Sequence, residues 1–415
     1  MDMRFLKFCV VVCFVFASFN LFAVTGPIES VSAQSASRDA TEAPAGFDNR
    51  SNGSVDARTF RADRQLFEKR EVIEDGLGPV FNGASCSECH LNPVPGGDSR
   101  VFVLRAGKFD GVNFIPSPGG SLIHARAINP AIHEVLLPGY DVVAMRRSLG
   151  VLGDGFVEAI DDKALYSIAL QQPAQSGGRI AGQVIEVPLA EAPGITRAGR
   201  FGWKNVHASL VSFAGDAYLN EMGITTPMFP TEDLSNGRSV AAFDSVPDPD
   251  EADNDDIEAF ARFMRATKVP SRDGALAATS DSQSGENLFS TLGCAICHVT
   301  TFTTMSAGTL INGDTFRIPD ALGDKTIHPY SDFLLHDVGT GDGVVQNGGP
   351  ETRNKIRTAP LWGLRTRGLL LHDGSASSHE QAILRHAGEA SFVTDNYRAL
   401  NKKKQARLIT FLRSL

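Results

Sequence analysis

The sequence predicts a mainly α-helical protein made of two related halves, with an irregular insertion containing short β-strands in the N-terminal half. Three observations support this prediction. A five-residue motif occurs twice, as CSECH at 86–90 and as CAICH at 294–298. Amphipathic helical patterns precede each motif and return near the end of each half. Between residues 91 and 250, Gly and Pro interrupt short apolar runs such as RVFVLRAG and GQVIEVPLA, which favour strands.

Length and composition are those of a globular protein with more than one domain. The chain has 415 residues, enough for two domains with their own cores. Hydrophobic residues make up 42% and charged residues 21%, which is typical of globular proteins. The net charge of −9 argues against a surface that binds nucleic acid or an anionic membrane. A charged partner is therefore expected to be basic.

Residues 1–33 are predicted to be a signal peptide. Arg4 and Lys7 precede an apolar run at 8–19, and small residues lead to a cleavage position after Ala33. Cleavage after Ala23, or retention as a membrane anchor, stays open. The apolar run is shorter than the roughly 20 residues that span a bilayer, which favours cleavage. We therefore expect an exported, periplasmic protein.

The rest of the chain divides into three predicted regions. Residues 34–56 are polar and rich in Ser, Ala and Gly, which predicts a disordered leader. Residues 57–270 form the N-terminal domain, with the insertion at about 91–250, and residues 271–415 form the C-terminal domain. Helices are predicted from Arg58 to about Glu74, in the acidic stretch 248–267, at 282–293 and at 401–415. Each half thus has a helix, a motif and a closing helix.

The cysteines belong almost entirely to the two motifs. Once the signal peptide is removed, the chain keeps four cysteines: Cys86, Cys89, Cys294 and Cys297. Two thiols at this spacing can each add to a vinyl group of haem, and the adjacent histidine reaches the iron. A single four-thiolate zinc site is the alternative, but it would leave both motif histidines unexplained.

The motifs therefore predict two covalently bound c-type haems in two cytochrome c-like haem domains. His90 and His298 are the predicted proximal ligands of the haem iron at the first and second motif, here haem 1 and haem 2. A second protein ligand on an iron favours electron transfer, whereas an open sixth position favours peroxide or oxygen chemistry. Position alone does not choose among the eight other histidines.

Several longer motifs resemble the bacterial di-haem oxidoreductase family, many members of which are described as peroxidases. The resemblance covers about residues 60–415 and is carried by GLGPVFNGASCSECH, GRFGWK, EMGITT, LGCAICH, IHPYSDFLLHDVG and RTAPLWGLRTRGLLLHDGSASSHEQAILRHAGEA. The C-terminal part is also similar to the di-haem cytochrome c peroxidases. Their distal Met lies fourteen residues after the His of a His-Asp-Gly motif; here that motif starts at His372, and His386 takes the place of the Met. The resemblance implies a bis-histidine haem 2.

The chain also departs from those peroxidases. Arg367 and Leu369 replace the Thr and Pro that help to hold a calcium ion there, so calcium is not expected by resemblance. Ala106 occupies the position of their distal histidine for the first haem. His124, after a Gly-Gly turn, is the candidate distal ligand and catalytic residue of haem 1, and a hydrogen-bonded surface histidine is the alternative.

Three further residues are candidates for redox or proton chemistry. Glu158 lies in the apolar context GDGFVEAI, where a raised pKa would let it move protons during O–O cleavage. A salt bridge to Arg146 or Arg147 is the alternative. Trp203 and Trp362 could place a ring between the haems or could be ordinary core residues.

The leading hypothesis is an exported di-haem oxidoreductase, specifically a peroxidase. A small cytochrome or similar protein would donate electrons, haem 2 would relay them, and haem 1 would reduce hydrogen peroxide or oxidise a small organic substrate. The alternatives are an electron carrier with two six-coordinate haems and an oxygen-dependent cleaving enzyme. The resemblance leaves a homodimer open, because di-haem peroxidases are often dimeric.

Overall fold

A computed structural model describes residues 40–415 of the chain. The predicted signal peptide and the first residues of the predicted leader lie outside this range. Within it, helices outweigh strands, at 33% and 16% of residues, which agrees with the predicted mainly α class. The α-helices are Ala57–Glu68 (α1), Cys86–Cys89 (α2), Asp154–Glu158 (α3), Asp162–Ser176 (α4), Leu210–Met222 (α5), Asp255–Ala266 (α6), Gly274–Ala277 (α7), Ser280–Leu292 (α8), His379–Arg385 (α9), Ser391–Arg398 (α10) and Lys402–Ser414 (α11).

The strands are short and belong to several small sheets. They are Thr41–Glu42 (β1), Val80–Phe81 (β2), Phe102–Phe109 (β3), Phe114–Pro116 (β4), Leu122–Ile123 (β5), Arg126–Ala127 (β6), Val142–Arg147 (β7), Glu186–Leu189 (β8), Ala192–Ala198 (β9), Phe302–Thr303 (β10), Leu310–Ile311 (β11), Phe316–Arg317 (β12), Lys325–Ile327 (β13), Leu335–His336 (β14) and Ile356–Arg357 (β15).

Two pairs of packed helices flank the motifs, and the sequence predicted each of these four helices. α1 packs against α6 in the N-terminal half, and α8 packs against α11 in the C-terminal half. Polar caps set their starts, since the side chain of Asp56 accepts from the backbone of Thr59 and that of Thr279 accepts from Ser282. α6 buries the predicted face of Ile257, Phe260, Ala261 and Met264. The first helix ends at Glu68, earlier than predicted, and a 3₁₀ turn follows at Ile73–Asp75.

The insertion is more regular than predicted. β3 pairs antiparallel with β7 from Phe102 and Arg147 to Gly107 and Val142, and β4 and β5 also pair with β3. The predicted strands are thus present. The insertion also contains α3, α4 and α5, which the prediction of an irregular segment missed. This sheet matters for the site because β7 leads directly to Arg147 and Leu149, which line the cavity described below.

The predicted disorder of residues 34–56 is wrong for the part that the structure describes. β1 pairs parallel with β13 through Thr41 and Lys325. The side-chain amide of Asn52 donates to the carbonyl oxygens of Arg265 and Thr267, at 2.8 and 3.0 Å. Polar composition predicted disorder, but these residues are held in place by hydrogen bonds to backbone groups far away in the sequence.

The core joins the two predicted domains. The largest cluster of buried side chains takes Phe60 and Phe263 from the N-terminal region and Phe333 and Trp362 from the C-terminal region. A second cluster, with Phe289 and Phe411, lies wholly in the C-terminal region. The described residues therefore belong to one compact unit. Among them, no helix is both long and apolar enough to cross a bilayer.

Candidate haem sites

The first motif forms a single helical turn. α2 runs from Cys86 to Cys89, and the side chain of Ser85 accepts from the backbone N–H of Glu88 at 3.2 Å. The turn closes when the N–H of His90 donates to the carbonyl of Cys86 at 3.0 Å. Both cysteines are free thiols. This geometry places two thiols and the histidine on one tight turn, as haem attachment requires.

The second motif repeats this backbone geometry. Gly293 ends α8 with φ of 99°, a left-handed conformation that favours glycine, and a 3₁₀ turn begins at Cys294. The N–H of His298 donates to the carbonyl of Cys294 at 3.0 Å, as in the first motif. Cys294 and Cys297 are also free thiols.

The cysteines are poor candidates for a zinc site. Burial raises the pKa of Cys86, Cys89 and Cys294 to about 12 each, and it also raises the pKa of Cys297. Zinc binds the thiolate. Within residues 40–415, the four sulfur atoms also do not meet in one cluster of metal-ligand spacing. The four-thiolate alternative therefore has no support among the described residues.

Both motif histidines are prepared to bind a metal through a neutral imidazole. Nδ1 of His298 bonds to the carbonyl of Tyr330 at 2.9 Å, which leaves Nε2 free. A ligating histidine usually makes such a bond with its other nitrogen. Burial lowers the pKa of His298 to about 4, and burial does the same for His90, partly offset by the backbone of Gly97 and Leu149.

A large cavity lies beside the second motif and also contains His386. It has about 1340 Å³ of atom-free space, including the part open to solvent, and Cys294, Cys297 and His298 line it together with His386. Nδ1 of His386 bonds to the carbonyl of Ala382 at 2.7 Å, so its Nε2 is free as well. Burial lowers the pKa of His386, which keeps the ring neutral. We call this space the second-motif cavity.

The second-motif cavity fits a haem. Its lining is mostly apolar, and two imidazoles with free Nε2 atoms lie on it. Two further histidines on the lining have buried nitrogens without a hydrogen-bond partner among the described residues: Nδ1 of His372 and Nε2 of His379. Buried polar atoms are rarely left unpaired, so these orphan atoms indicate that the cavity receives a polar or metal-bearing group.

Sequence reasoning did not single out the other polar residues of this cavity. His336 lies between two carboxylates, with Nε2 2.8 Å from Asp332 and Nδ1 2.8 Å from Glu389. His336 and His372 both occur in segments that carry the family resemblance, IHPYSDFLLHDVG and LLLHDG. That signal marked the segments, but it could not show that the two side chains line one cavity.

The two tryptophans have different surroundings. Trp203 lines the second-motif cavity, donates from Nε1 to the carbonyl of Arg147 at 2.6 Å, and meets the ring of His372 edge-on at 6.0 Å. Trp362 is 6% exposed and belongs to the main core. Trp203 therefore keeps its candidacy as a ring near haem 2, while Trp362 is a core residue.

The structure does not support His124 as a ligand of haem 1. Its Nδ1 lies 2.8 Å from the carboxylate of Glu134, and its Nε2 lies 3.0 Å from the carbonyl of Asn220. Because both nitrogens face acceptors, the ring fits an imidazolium, which has no lone pair for iron. Burial opposes the charge, but the hydrogen bonds that the ring donates to the carboxylates of Asp233 and Glu134 outweigh it and raise the pKa to about 9. These bonds favour the alternative of a hydrogen-bonded histidine, although His124 is buried rather than on the surface.

The structure also does not support Glu158 as a catalytic acid or base. The residue is 0% exposed, and both carboxylate oxygens bond to Arg265, at 2.7 and 2.9 Å. Asn312 and the N–H of Leu210 donate to the same carboxylate. Burial tends to raise its pKa, but Arg265 and the other donors lower it overall, so the group stays ionised. The alternative of a salt bridge is correct, although its partner is Arg265 and not Arg146 or Arg147.

Comparison with known proteins supports the two-haem interpretation. Residues 131–415 match the family model described as "Di-haem oxidoreductase, putative peroxidase". None of the curated proteins compared with the chain matches it.

Three solved structures match over most of the chain at low similarity. The hydrazine synthase of Kuenenia stuttgartiensis is 13% identical with a TM-score of 0.40, covering 97% of this chain and 99% of that chain. A MauG-like protein associated with microbial copper homeostasis is 17% identical with a TM-score of 0.39, covering 92% and 94%. The diheme peroxidase BthA of Burkholderia thailandensis is 14% identical with a TM-score of 0.40, covering 87% and 86%. TM-scores this low do not establish a common fold.

The family match, by contrast, spans more than half of the chain and includes the second motif, its cavity and His386. The protein therefore belongs to the di-haem oxidoreductase family.

Proposed function

We propose that the protein is an exported di-haem peroxidase whose c-type haems are attached covalently at the two motifs. Cys86 and Cys89 would tether haem 1, with His90 as its iron ligand. Cys294 and Cys297 would tether haem 2, with His298 and His386 on either side of the iron. A haem supplies the one-electron redox chemistry and, where its sixth position is open, a place for peroxide to bind. The protein determines which of the two sites has that opening.

The observation that carries this proposal is the unequal distribution of the ten histidines. Besides His298, four of them line the second-motif cavity: His336, His372, His379 and His386. Four others bond elsewhere: His124 to Glu134, His133 to the carbonyl of Ala125, His207 to Asp216 and His328 to Glu42. Only His90 remains for the first motif. This inequality supports a six-coordinate relay at the second motif and an open site at the first.

The residues around the second motif suit electron transfer. The carbonyl of Tyr330 fixes the orientation of the His298 ring, and the carbonyl of Ala382 fixes that of the His386 ring. Neither imidazole therefore needs to move when the charge on the iron changes. Leu149 connects this cavity to the first motif, because it lines the cavity and its backbone lies beside His90. Electrons would enter at the second motif and leave at the first.

Location and partners follow from the same proposal. Haem is attached to such motifs outside the cytoplasm, which agrees with the predicted signal peptide and supports a periplasmic location. The net charge of −9 favours a basic electron donor, such as a small cytochrome. Hydrogen peroxide is the proposed acceptor, with a small organic substrate as the other option, and a homodimer is the proposed assembly.

Spectroscopy combined with turnover tests this proposal. The oxidised protein should show two haems per chain, one low-spin and one high-spin, and cyanide should remove the high-spin signal. A reduced small cytochrome should be reoxidised when peroxide is added. His386→Ala should convert haem 2 to high-spin, whereas His379→Ala, at the start of α9 and on the same cavity, should leave its spin state unchanged.

Other outcomes would select the alternatives. Two low-spin haems that ignore cyanide, azide and peroxide would contradict the peroxidase and support an electron carrier. Oxygen uptake with an alkene-bearing substrate, without peroxide turnover, would support an oxygen-dependent cleaving enzyme. A low-spin haem 2 that survives His386→Ala would show that His386 is not its ligand.

A further inference from the structure

Three arginines, two of them buried and one half-buried, form a group on the wall of the second-motif cavity. Arg147, Arg357 and Arg367 all line it, and Arg147 and Arg357 are only 3% and 5% exposed. Arg367 also lines a second, smaller cavity together with Asn92 and Gly97, which follow the first motif. The group, here the arginine cluster, therefore lies on the side of the haem 2 cavity that faces the first motif.

The bonds within the described residues do not satisfy the arginine cluster. Arg147 pairs with Asp98 and donates from Nη2 to the carbonyl of Leu369 at 2.5 Å, but its Nε is buried without a partner. Arg357 donates from Nη1 to the carbonyl of Arg200, and its Nε is likewise buried and unpartnered. Arg367 donates from Nη2 to the carbonyl of Trp362 at 3.0 Å.

The cluster carries more positive than negative charge. Within residues 40–415, neither Arg357 nor Arg367 has a carboxylate at ion-pair distance. Asp154 is the acid whose charge acts most strongly on Arg357. Burial raises the pKa of Asp154 to about 7, so this carboxyl is only partly ionised at neutral pH. Burial lowers the pKa of Arg357 to about 10, which still leaves the guanidinium charged. Asp98, which already pairs with Arg147, attracts Arg367, whereas Arg147 and Arg357 repel it, so three guanidinium groups share Asp98 and the partly ionised Asp154.

Buried guanidinium groups without a counter-ion are costly. Removing one partner from a buried ion pair is strongly destabilising, because the remaining charge is uncompensated. A cavity that keeps such charges therefore favours an anionic ligand group. The planar fork of arginine matches a carboxylate, to which it can donate two parallel hydrogen bonds. Apart from its iron, a haem presents an apolar ring and two propionate carboxylates, which matches a mostly apolar cavity with one cationic wall.

We propose that Arg147, Arg357 and Arg367 bind the propionate carboxylates of haem 2. This inference rests on haem occupying the second-motif cavity, as part of the proposed function, but it does not depend on peroxide turnover. The arginines would act as positioning residues. They would fix the orientation of the two propionate side chains, and their charge would offset that of the propionates. Positive charge near the iron disfavours its oxidised form, so the arginine cluster would raise the reduction potential of haem 2.

The test compares charge-removing variants inside and outside the cluster. Arg357→Gln and Arg367→Gln remove one charge each, and Arg357→Lys keeps the charge without the planar fork. Arg365→Gln is the matched control, because Arg365 is exposed, lies two residues from Arg367 and donates to the backbone of Ser271 at 3.2 Å. In haem-loaded full-length protein, haem content, the potential of each haem, and the propionate bending band in the resonance Raman spectrum would be measured.

We expect Arg357→Gln and Arg367→Gln to lower the potential of haem 2 and to shift its propionate band. Arg357→Lys should shift the band but change the potential less, and Arg365→Gln should change neither. Selective loss of haem 2 in the two Gln variants, with Arg365→Gln fully loaded, would also support the proposal.

An unchanged potential and Raman band in both Gln variants would overturn the proposal, as would a shift confined to haem 1. A wild-type protein that carries no haem at the second motif would overturn both this inference and the proposed function. If the arginine variants show the expected shifts but the protein does not turn over peroxide, only the proposed function would be overturned.

Discussion

The two motifs stand on the same local scaffold, but their surroundings differ. At the first motif, the ring centroid of Phe67 in α1 lies 6.4 Å from that of His90 and 4.7 Å from that of Phe263. At the second motif, the ring centroid of Phe289 in α8 lies 6.1 Å from that of His298 and 5.3 Å from that of Phe411. Beyond this shared arrangement, the second motif lines a cavity with a further free imidazole, while Nδ1 of His90 has no hydrogen-bond partner among the described residues.

This difference separates what a motif specifies from what its neighbours specify. The helix, the two thiols and the proximal histidine are local features, and they recur with nearly equal geometry. The distal side is built by segments remote in sequence, such as α9 for the second motif. Two sites with one scaffold can therefore have different chemistry, since a sixth ligand depends only on what faces the iron.

The largest expected effect tests whether the scaffolds are equivalent. Phe67→Ala and Phe289→Ala should each lower the free energy of unfolding by about 3–5 kcal/mol, because both remove a buried aromatic ring. Both side chains are 3% exposed, which predicts similar losses. Denaturant unfolding of the two variants measures this. The exposed residue Leu170, changed to Ala, serves as the control with little expected loss. A large effect at one site only would break the equivalence.

A smaller effect separates His124 from the haem chemistry of the first motif. Its pKa is about 9 in the folded protein and about 6.5 when unfolded. The raised pKa means that its stabilisation is fully present below about pH 6.5 and is lost as pH rises through about 9. His124→Gln should cost at most about 3 kcal/mol at pH 6, and the cost should shrink by pH 10. The exposed His328, changed to Gln, is the matched control.

The readout that distinguishes these roles is the visible spectrum. If His124 is structural, the spectrum of both haems stays unchanged in His124→Gln while the pH dependence of unfolding changes. A spectral change at haem 1, with stability independent of pH, would restore His124 as a ligand.

The smallest expected effect on stability concerns His386, the proposed distal ligand of haem 2. His386→Met replaces an imidazole with a thioether, which should raise the reduction potential of haem 2 while haem 1 keeps its own. His386 is half-buried, and Met is similar in volume, so little stability should be lost. A potentiometric titration followed in the visible spectrum measures both haems. An unchanged potential for haem 2 would mean that the two motifs differ less than the histidine distribution indicates.

Much of the helical frame could be predicted, because its signals are local. α6 has an acidic first turn and one apolar face, and α8 and α11 show clear starts in the sequence. The helices of the insertion lack such signals. α4 mixes apolar and polar residues around its circumference, and the buried face of α5 includes Ser212 and Gly215 while Phe213 lies off it, so neither shows one clearly apolar face.

The candidate site divides in the same way. The motif residues follow from spacing, and His386 follows from the family resemblance. Glu158 and His124 were misjudged because an apolar or glycine-rich context does not reveal the charge that folding brings to a side chain. Arg265 lies more than a hundred residues from Glu158 in the sequence. Glu134 bonds to His124 because the chain turns back between these two residues.

The sequence by itself determined the two motifs, their thiols and proximal histidines, and the helix that supports each, because these depend on residues close together in the chain. The tertiary structure decided which histidines share a cavity, which carboxylates are neutralised by arginines, and where buried positive charge remains. These properties arise from residues far apart in sequence, and burial makes each charge depend on the neighbours that the fold supplies.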